Sequence, residues 1–381
     1  MKVAVTTLAF CVAALLALGV VMLYSSMMAA PAGAHDLMMQ LIWCAVGFVL
    51  CIMAAAFDYK LLKTLSWPIY IGALALAVAV FVPHLGLKIN GAHRWIRWHG
   101  TTLQPSEFVK IAVIIMLAWF GERYQRKIHT WNYGITFPII IIGLALGLIF
   151  FEPDRGQTIL LATVSGAMLL IAGARWRHLL VPAAGGAAVL AFSLFHDSMR
   201  RGRILAWLHP DAHENGAALQ AHQAMIGLGS GGWFGVGLGN GMRKFGYLPE
   251  IHTDFIFANI GEELGLVGTL LVVLAFVVIA VCGIYISLRA RDVFGGLLAA
   301  GITLLISLQA VINIGVVTSA LPNKGLPLPF ISYGGSNLVA LLAGVGILFS
   351  VARRAPAREP ISKPAKDAGE INDNPFAARA T

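Results

Sequence analysis

The sequence predicts an all-α polytopic membrane protein, a bundle of about ten transmembrane helices. Of its 381 residues, 58% are hydrophobic and only 12% are charged, where soluble domains carry roughly 25% charged residues. The mean hydropathy is +0.80. The apolar residues gather in runs of roughly 18 to 25, the length that crosses a hydrocarbon core of about 30 Å. In lipid every backbone N–H and C=O must be paired internally, which long apolar runs achieve as helices.

The first run follows Lys2 and extends to Tyr24. It is too long for most cleaved signals and further spans follow it, so it reads as an uncleaved first helix. Further runs fall at about 37–57, 66–84, 106–121, 134–151, 157–173 and 178–196. A long polar interval, 197–254, separates helices 7 and 8, and runs at about 255–288, 293–320 and 334–352 complete the set. Alternate loops carry the basic residues Lys60 and Lys63; Arg123, Arg126 and Lys127; Arg175 and Arg177; Arg289 and Arg291; Arg353 and Arg354. The positive-inside rule makes these loops and both termini cytoplasmic, and turns the 197–254 interval into an extracellular loop. The chain divides into a transmembrane domain, 1–352, and a cytoplasmic tail, 353–381, whose composition reads as disordered.

The formal charge of +9 does not imply nucleic acid, because the basic residues sit in short loops between spans. Membrane topology and anionic lipid explain them better. Cys11, Cys44, Cys51 and Cys282 all lie in apolar runs without CxxC or flanking histidines, and read as core residues.

The loops expected to face outward are the informative part, because they carry charge the topology rule disfavours. Lys88, Arg94, Arg97, Arg155, Arg200, Arg201, Arg203, Arg243, Lys244 and Lys324 all fall there. As a group they suggest an anionic ligand, although any one could be a snorkelling or headgroup residue. Between 91 and 110, Arg94 and Arg97 with Trp95 and Trp98 suit a membrane-interface segment. Gln104 or Ser106 can cap the helix that Pro105 starts, and Glu107 and Lys110 can pair at i, i+3. Lys110 inside a membrane segment is costly enough to suggest function. In the turn 151–157, Asp154 is equally a helix cap or a ligand contact, with Gln157 beside it.

The 197–254 interval exceeds the usual connector length. Arg200, Arg201 and Arg203 beside Ile204, Leu205 and Trp207 form an amphipathic segment. The glycines of 227–241 follow no strand and lack a phosphate-loop ending, so they suit a close backbone approach to a ligand or a sharp bend. Glu250, His252 and Asp254 then lead directly into an apolar helix, where Asp254 is either a cap or a reactive acid. The last constellation, 321–336, contains Pro322, Pro327 and Pro329, which prevent a continuous helix. It reads as an ordered or re-entrant loop in which Ser332 and Ser336 line a polar cavity and Lys324 is the sole charge.

Together LPEIHTDFIFA (248–258), GEELG (261–265), QPSE (104–107), PDRGQ (153–157) and PNKGLPLPFISYGGS (322–336) resemble the SEDS family, the RodA and FtsW proteins of bacterial cell-wall synthesis. The resemblance extends to about residue 352. The glycine-rich segment, Lys324-Gly325 and the tail look more like the division member FtsW than the elongation member RodA.

The resemblance implies polymerisation of lipid II, a disaccharide-pentapeptide on undecaprenyl pyrophosphate, at the division septum beside a class B penicillin-binding protein and other division proteins. Asp254 is then the expected general base. Arg94, Lys110, Lys324, Arg243 and Lys244 are candidate pyrophosphate contacts, and His252 is a candidate for orienting Asp254. Glu107, Asp154, Gln157, Ser332 and Ser336 complete the expected substrate site. A divalent cation is an open addition; without zinc spacing it would be Mg²⁺ or Mn²⁺, held partly by Asp254. A lipid II flippase and a RodA-type elongation polymerase are the rival readings. A flippase would place charges along a path between the two faces, whereas these gather at one rim.

Overall fold

The computed structural model describes residues 1–27, 33–82, 85–89, 92–98, 101–196, 198–209, 219–244 and 252–355. Each of the ten apolar runs forms a helix: α1 (Lys2–Met27), α2 (Gly33–Ala56), α4 (Ser66–Ala79), α5 (Pro105–Arg123), α6 (Phe137–Phe151), α7 (Arg155–Ile171), α8 (Trp176–His196), α11 (Ile256–Leu288), α12 (Val293–Val317) and α13 (Gly335–Arg353). Among the described residues, six helices are long and apolar enough to cross a membrane: α1, α2, α6 with the π-helical turn before it, α11, α12 and α13. Short helices α3 (Tyr59–Thr64), α9 (Ser198–Leu208) and α10 (Leu219–Ser230) lie in the connections, with α9 taking the amphipathic stretch. Glu250 and the tail beyond residue 355 lie outside the described residues.

The core sits around α5, α12 and α13. Along α5 the side chains from Val109 to Ala118 are almost all buried, and α13 is buried over most of its length. A helix apolar on every side belongs in the middle of a bundle. Around these three, α2 packs on α13, α4 on α5, α7 on both α5 and α12, and α11 between α12 and α1.

The sequence reading missed a small antiparallel sheet of β1 (Gly86–Ile89), β2 (Ala92–Trp98) and β3 (Thr101–Leu103), in that order. The segment expected at the membrane interface pairs its backbone with itself, Ile96 opposite both Gly86 and Leu103. Its Arg and Trp content signals an interface, but that composition does not reveal the backbone pairing of a hairpin.

α11 is interrupted at Gly265, whose φ of 69° and ψ of −166° are non-helical. The glycine-rich segment explains the interruption. Gly235 lies so close to Glu263 and Leu264 that a Cβ would strike their backbone, and a Cβ on Gly265 would strike Gly235 and Trp233. Val236 and Gly237 donate their N–H groups to the carbonyls of Glu262 and Glu263 at 3.0 and 3.1 Å. Leu266 and Val267 donate to Gly232 and Trp233 at 2.9 and 3.2 Å. The glycines thus admit the start of α11, where the sequence suggested a ligand or a bend.

Gly265→Val combines left-handed strain with a backbone clash, so it should cost at least about 2 kcal/mol. Thermal unfolding in detergent measures the loss, and a wild-type transition would refute this packing account.

Candidate active site

Residues 252–254 and the loop between α12 and α13 are built against each other. The prolines at 322, 327 and 329 keep this loop out of helical conformation, yet Leu326, Leu328, Phe330 and Ile331 are buried. Its backbone polar groups therefore need partners inside the protein. Asn313 of α12 donates through Nδ2 to the carbonyl of Leu326 at 2.6 Å and to that of Asp254 at 2.8 Å. Gln309, one turn earlier, donates to the carbonyl of Pro327 at 2.9 Å. The Ser332 hydroxyl donates to the carbonyl of Thr253 at 2.5 Å and accepts from the N–H of Leu328 at 2.7 Å. Tyr333 N–H donates to the carbonyl of His252 at 3.0 Å. Gly325 lies against the Asp254 carboxylate so closely that a Cβ there would collide with it. Lys324, half-buried, is therefore one residue from the acid's contact.

This geometry settles part of the cap question. The N-cap residue of α11 is Phe255, without a side-chain capping bond, so Asp254 precedes the cap position. The His252 ring lies beside Tyr333, with centroids 6.1 Å apart, and its backbone carbonyl serves the loop.

A second polar constellation runs from the sheet into the core. Arg94, on β2, donates from Nε to the carbonyl of Glu152 at 3.0 Å and from Nη2 to that of Pro153 at 2.7 Å. Its guanidinium also lies 3.7 Å from Asp154 Oδ2. Asp154 caps α7 by accepting from the N–H of Gln157 at 3.1 Å, and accepts from Gln104 Nε2 at 3.3 Å. Gln157 Nε2 donates to Glu107 Oε1 at 2.6 Å, and Glu107 pairs with Lys110 at 2.8 Å. Lys110 Nζ donates to Gln309 Oε1 at 3.4 Å, and Gln309 Nε2 reaches Asn337 Oδ1 at 3.1 Å. The two constellations thus join at Gln309.

Several expected substrate contacts take structural positions. Lys110 is fully buried and paired with Glu107, because an unpaired ammonium in the bundle would carry a large desolvation cost. Lys244 is buried and pairs with Glu263 at 3.1 Å; it also donates to the Gly239 carbonyl at 2.6 Å. Ser25 of α1 donates to the same carboxylate at 2.7 Å. Arg243 donates to Gln223 Oε1 at 2.6 Å, and its backbone N–H meets Glu262 at 3.3 Å. Neither Gln104 nor Ser106 caps α5 through its side chain; instead Ser336 accepts from the N–H of Gln104 at 3.0 Å. Ser332 and Ser336 are both buried, consumed by backbone bonds where an open cavity lining was expected.

The sequence reading passed over Glu152, the residue that ends α6. It is fully buried, and neither carboxylate oxygen has a hydrogen-bond partner. Burial pushes its carboxyl up to about 8; the charge of Asp154 adds to this and Arg94 opposes it. Two acids flanking one proline were the signal available. No three His, Cys, Asp or Glu side chains converge among the described residues; a Mg²⁺ or Mn²⁺ held partly by Asp254 needs no such cluster, because these ions are commonly bound by one or two carboxylates together with substrate phosphates.

Fold and site define a polytopic helical membrane protein with an acid held beside a proline-rich, largely buried loop. The chain belongs to the FtsW/RodA/SpoVE family: the family model described as "Cell cycle protein" matches residues 6–356. It is 40% identical over 345 residues to the probable peptidoglycan glycosyltransferase FtsW of Trichlorobacter lovleyi, covering 89% of this chain and 91% of the relative. Among solved structures, a peptidoglycan synthase complex described as coordinating polymerization and crosslinking contains a chain that is 28% identical. It matches with a TM-score of 0.75 over 91% of this chain and 96% of that one. The rod shape determining protein RodA of Thermus thermophilus is also 28% identical, with a TM-score of 0.70 over 92% and 97% of the two chains.

Two outcomes test the electrostatics. Lys110→Met leaves the Glu107 carboxylate buried without its cation and should cost about 3–5 kcal/mol, whereas adding Glu107→Leu should recover much of the loss. Thermal denaturation of the single and double variants reads the difference; equal losses would contradict a paired role. For Glu152, the proton is held in both folded and unfolded chains below about 4.5. Between about 4.5 and about 8 the unfolded chain releases it while the folded chain keeps it, so stability falls as pH rises, then levels. Glu152→Gln removes this dependence. Its stability advantage should grow by about 1 kcal/mol per pH unit across that window, and a constant difference between pH 5 and 8 would refute the assignment.

Proposed function

We propose that this chain is a peptidoglycan glycosyltransferase that polymerises lipid II during septal cell-wall synthesis, with Asp254 as general base. The enzymatic class rests on the relative carrying that name, matched over about nine-tenths of both chains. The observation that carries the residue assignment is the fixing of Asp254. Asn313 holds its carbonyl, Ser332 holds the preceding one, and Gly325 leaves space for its carboxylate.

In the reaction, Asp254 takes the proton from the 4-hydroxyl of the acceptor GlcNAc. The freed oxygen attacks the anomeric carbon of the donor MurNAc, a glycosidic bond forms, and the bond to undecaprenyl pyrophosphate breaks. The departing pyrophosphate carries away the electron pair, and Lys324 supplies positive charge beside it. Only one carboxylate is required, because a pyrophosphate leaves without protonation by a second acid.

The proposed setting is the outer face of the cytoplasmic membrane, with both termini cytoplasmic and a class B penicillin-binding protein as partner. The basic residues of alternate loops support that orientation, and the similarity to a synthase complex supports the partnership. The division role follows the FtsW relative over RodA, the latter matched at lower identity.

Asp254→Asn preserves size and polarity but cannot accept the proton. The purified full chain, assayed with its penicillin-binding protein, should polymerise lipid II at least about 100-fold more slowly with an unchanged melting temperature. Near-normal glycan synthesis by that variant would eliminate Asp254 as base.

A further inference from the structure

We infer that Asn313 is a positioning residue for the reaction, setting the placement of Asp254 relative to the loop that carries Lys324. The inference rests on the proposed role of Asp254. Asn313 is 1% exposed and lies near the C-terminal end of α12, where an apolar side chain would be the cheaper occupant. Its single Nδ2 group serves two carbonyls from separate segments, Asp254 at 2.8 Å and Leu326 at 2.6 Å. The orientation of the amide follows from this, because the opposite one would set an oxygen against two carbonyl oxygens.

Ser332 ties the loop to Thr253, and Gln309 ties the loop to α13 and Lys110; Asn313 bonds the main chain of the acid itself. Gln309 and Asn313 are one helical turn apart, so one face of α12 holds the loop at successive carbonyls, Pro327 and Leu326. Reaction rates respond steeply to such placement: a displacement near 1 Å can cost about 100-fold. Because Asn313 acts through Asp254 and the loop, its loss should fall on turnover more than on lipid II binding.

The test compares Asn313→Leu, which removes the donor at similar volume, with Asn313→Asp, which keeps the shape. The full chain with its penicillin-binding protein is assayed on lipid II from pH 5.5 to 8.5, beside Asp254→Asn. Asn313→Leu should lower kcat by at least about 10-fold with KM within about twofold. A protonated carboxyl can donate one hydrogen bond and an ionised one none, so Asn313→Asp should regain activity toward low pH relative to the parent protein. If Asn313→Leu does not fold, the pH profile of Asn313→Asp decides alone. Normal kcat in the folded variants, or an Asn313→Asp profile parallel to the parent, overturns the inference. An active Asp254→Asn protein instead overturns the general base, whatever the Asn313 variants do.

Discussion

A carbonyl buried in a membrane protein has no water to turn to, and the loop between α12 and α13 contains several. Prolines deny it helical pairing, so the loop persists only where side chains supply donors. Asn313 and Gln309 do so, Ser332 accepts from the loop's own Leu328 N–H, and Asn313 and Ser332 also donate to the carbonyls of residues 254 and 253. The placement of the acid is thus a by-product of satisfying the loop. A change at Asn313 or Ser332 disturbs both at once.

Charge is handled in the same economical way. Lys110 with Glu107 and Lys244 with Glu263 are buried pairs, each supplemented by neutral donors or acceptors. Such pairs contribute little net stability relative to an apolar replacement, but they penalise any arrangement that separates their members. The first lashes α5 to α7 and α12, and the second lashes the glycine-rich segment to α11 and α1. The Lys244–Glu263 pair flanks Asp254 in sequence, and the Glu107–Lys110 pair reaches the proline-rich loop through Gln309.

The helices were legible because lipid forces length and apolarity into the sequence. The ten runs match ten helices, and the proline-rich loop is ordered without being helical. The hairpin at 86–103 was not legible, since its Arg and Trp residues fit an interfacial segment equally well. At the site, the proximity of Asp254 to the Lys324 loop could be suspected from their shared family motifs. The fate of individual cations could not, because pairing depends on partners such as Glu263 and Ser25, which lie 19 and 238 residues apart from Lys244 and Glu263 respectively. Gln309 and Asn313 escaped notice because two amides inside an apolar run look like ordinary core exceptions.

The interruption at Gly265 changes what α11 is mechanically. Its 33 residues would extend roughly 50 Å if straight, well beyond a hydrocarbon core of about 30 Å. Broken at Gly265, it becomes a short arm next to Asp254 and a separate shaft of about 34 Å. The glycine-rich segment is bonded on both sides of the break, to Glu262 and Glu263 of the arm and to Leu266 and Val267 of the shaft, so the change of direction is locked in place between the acid and the shaft.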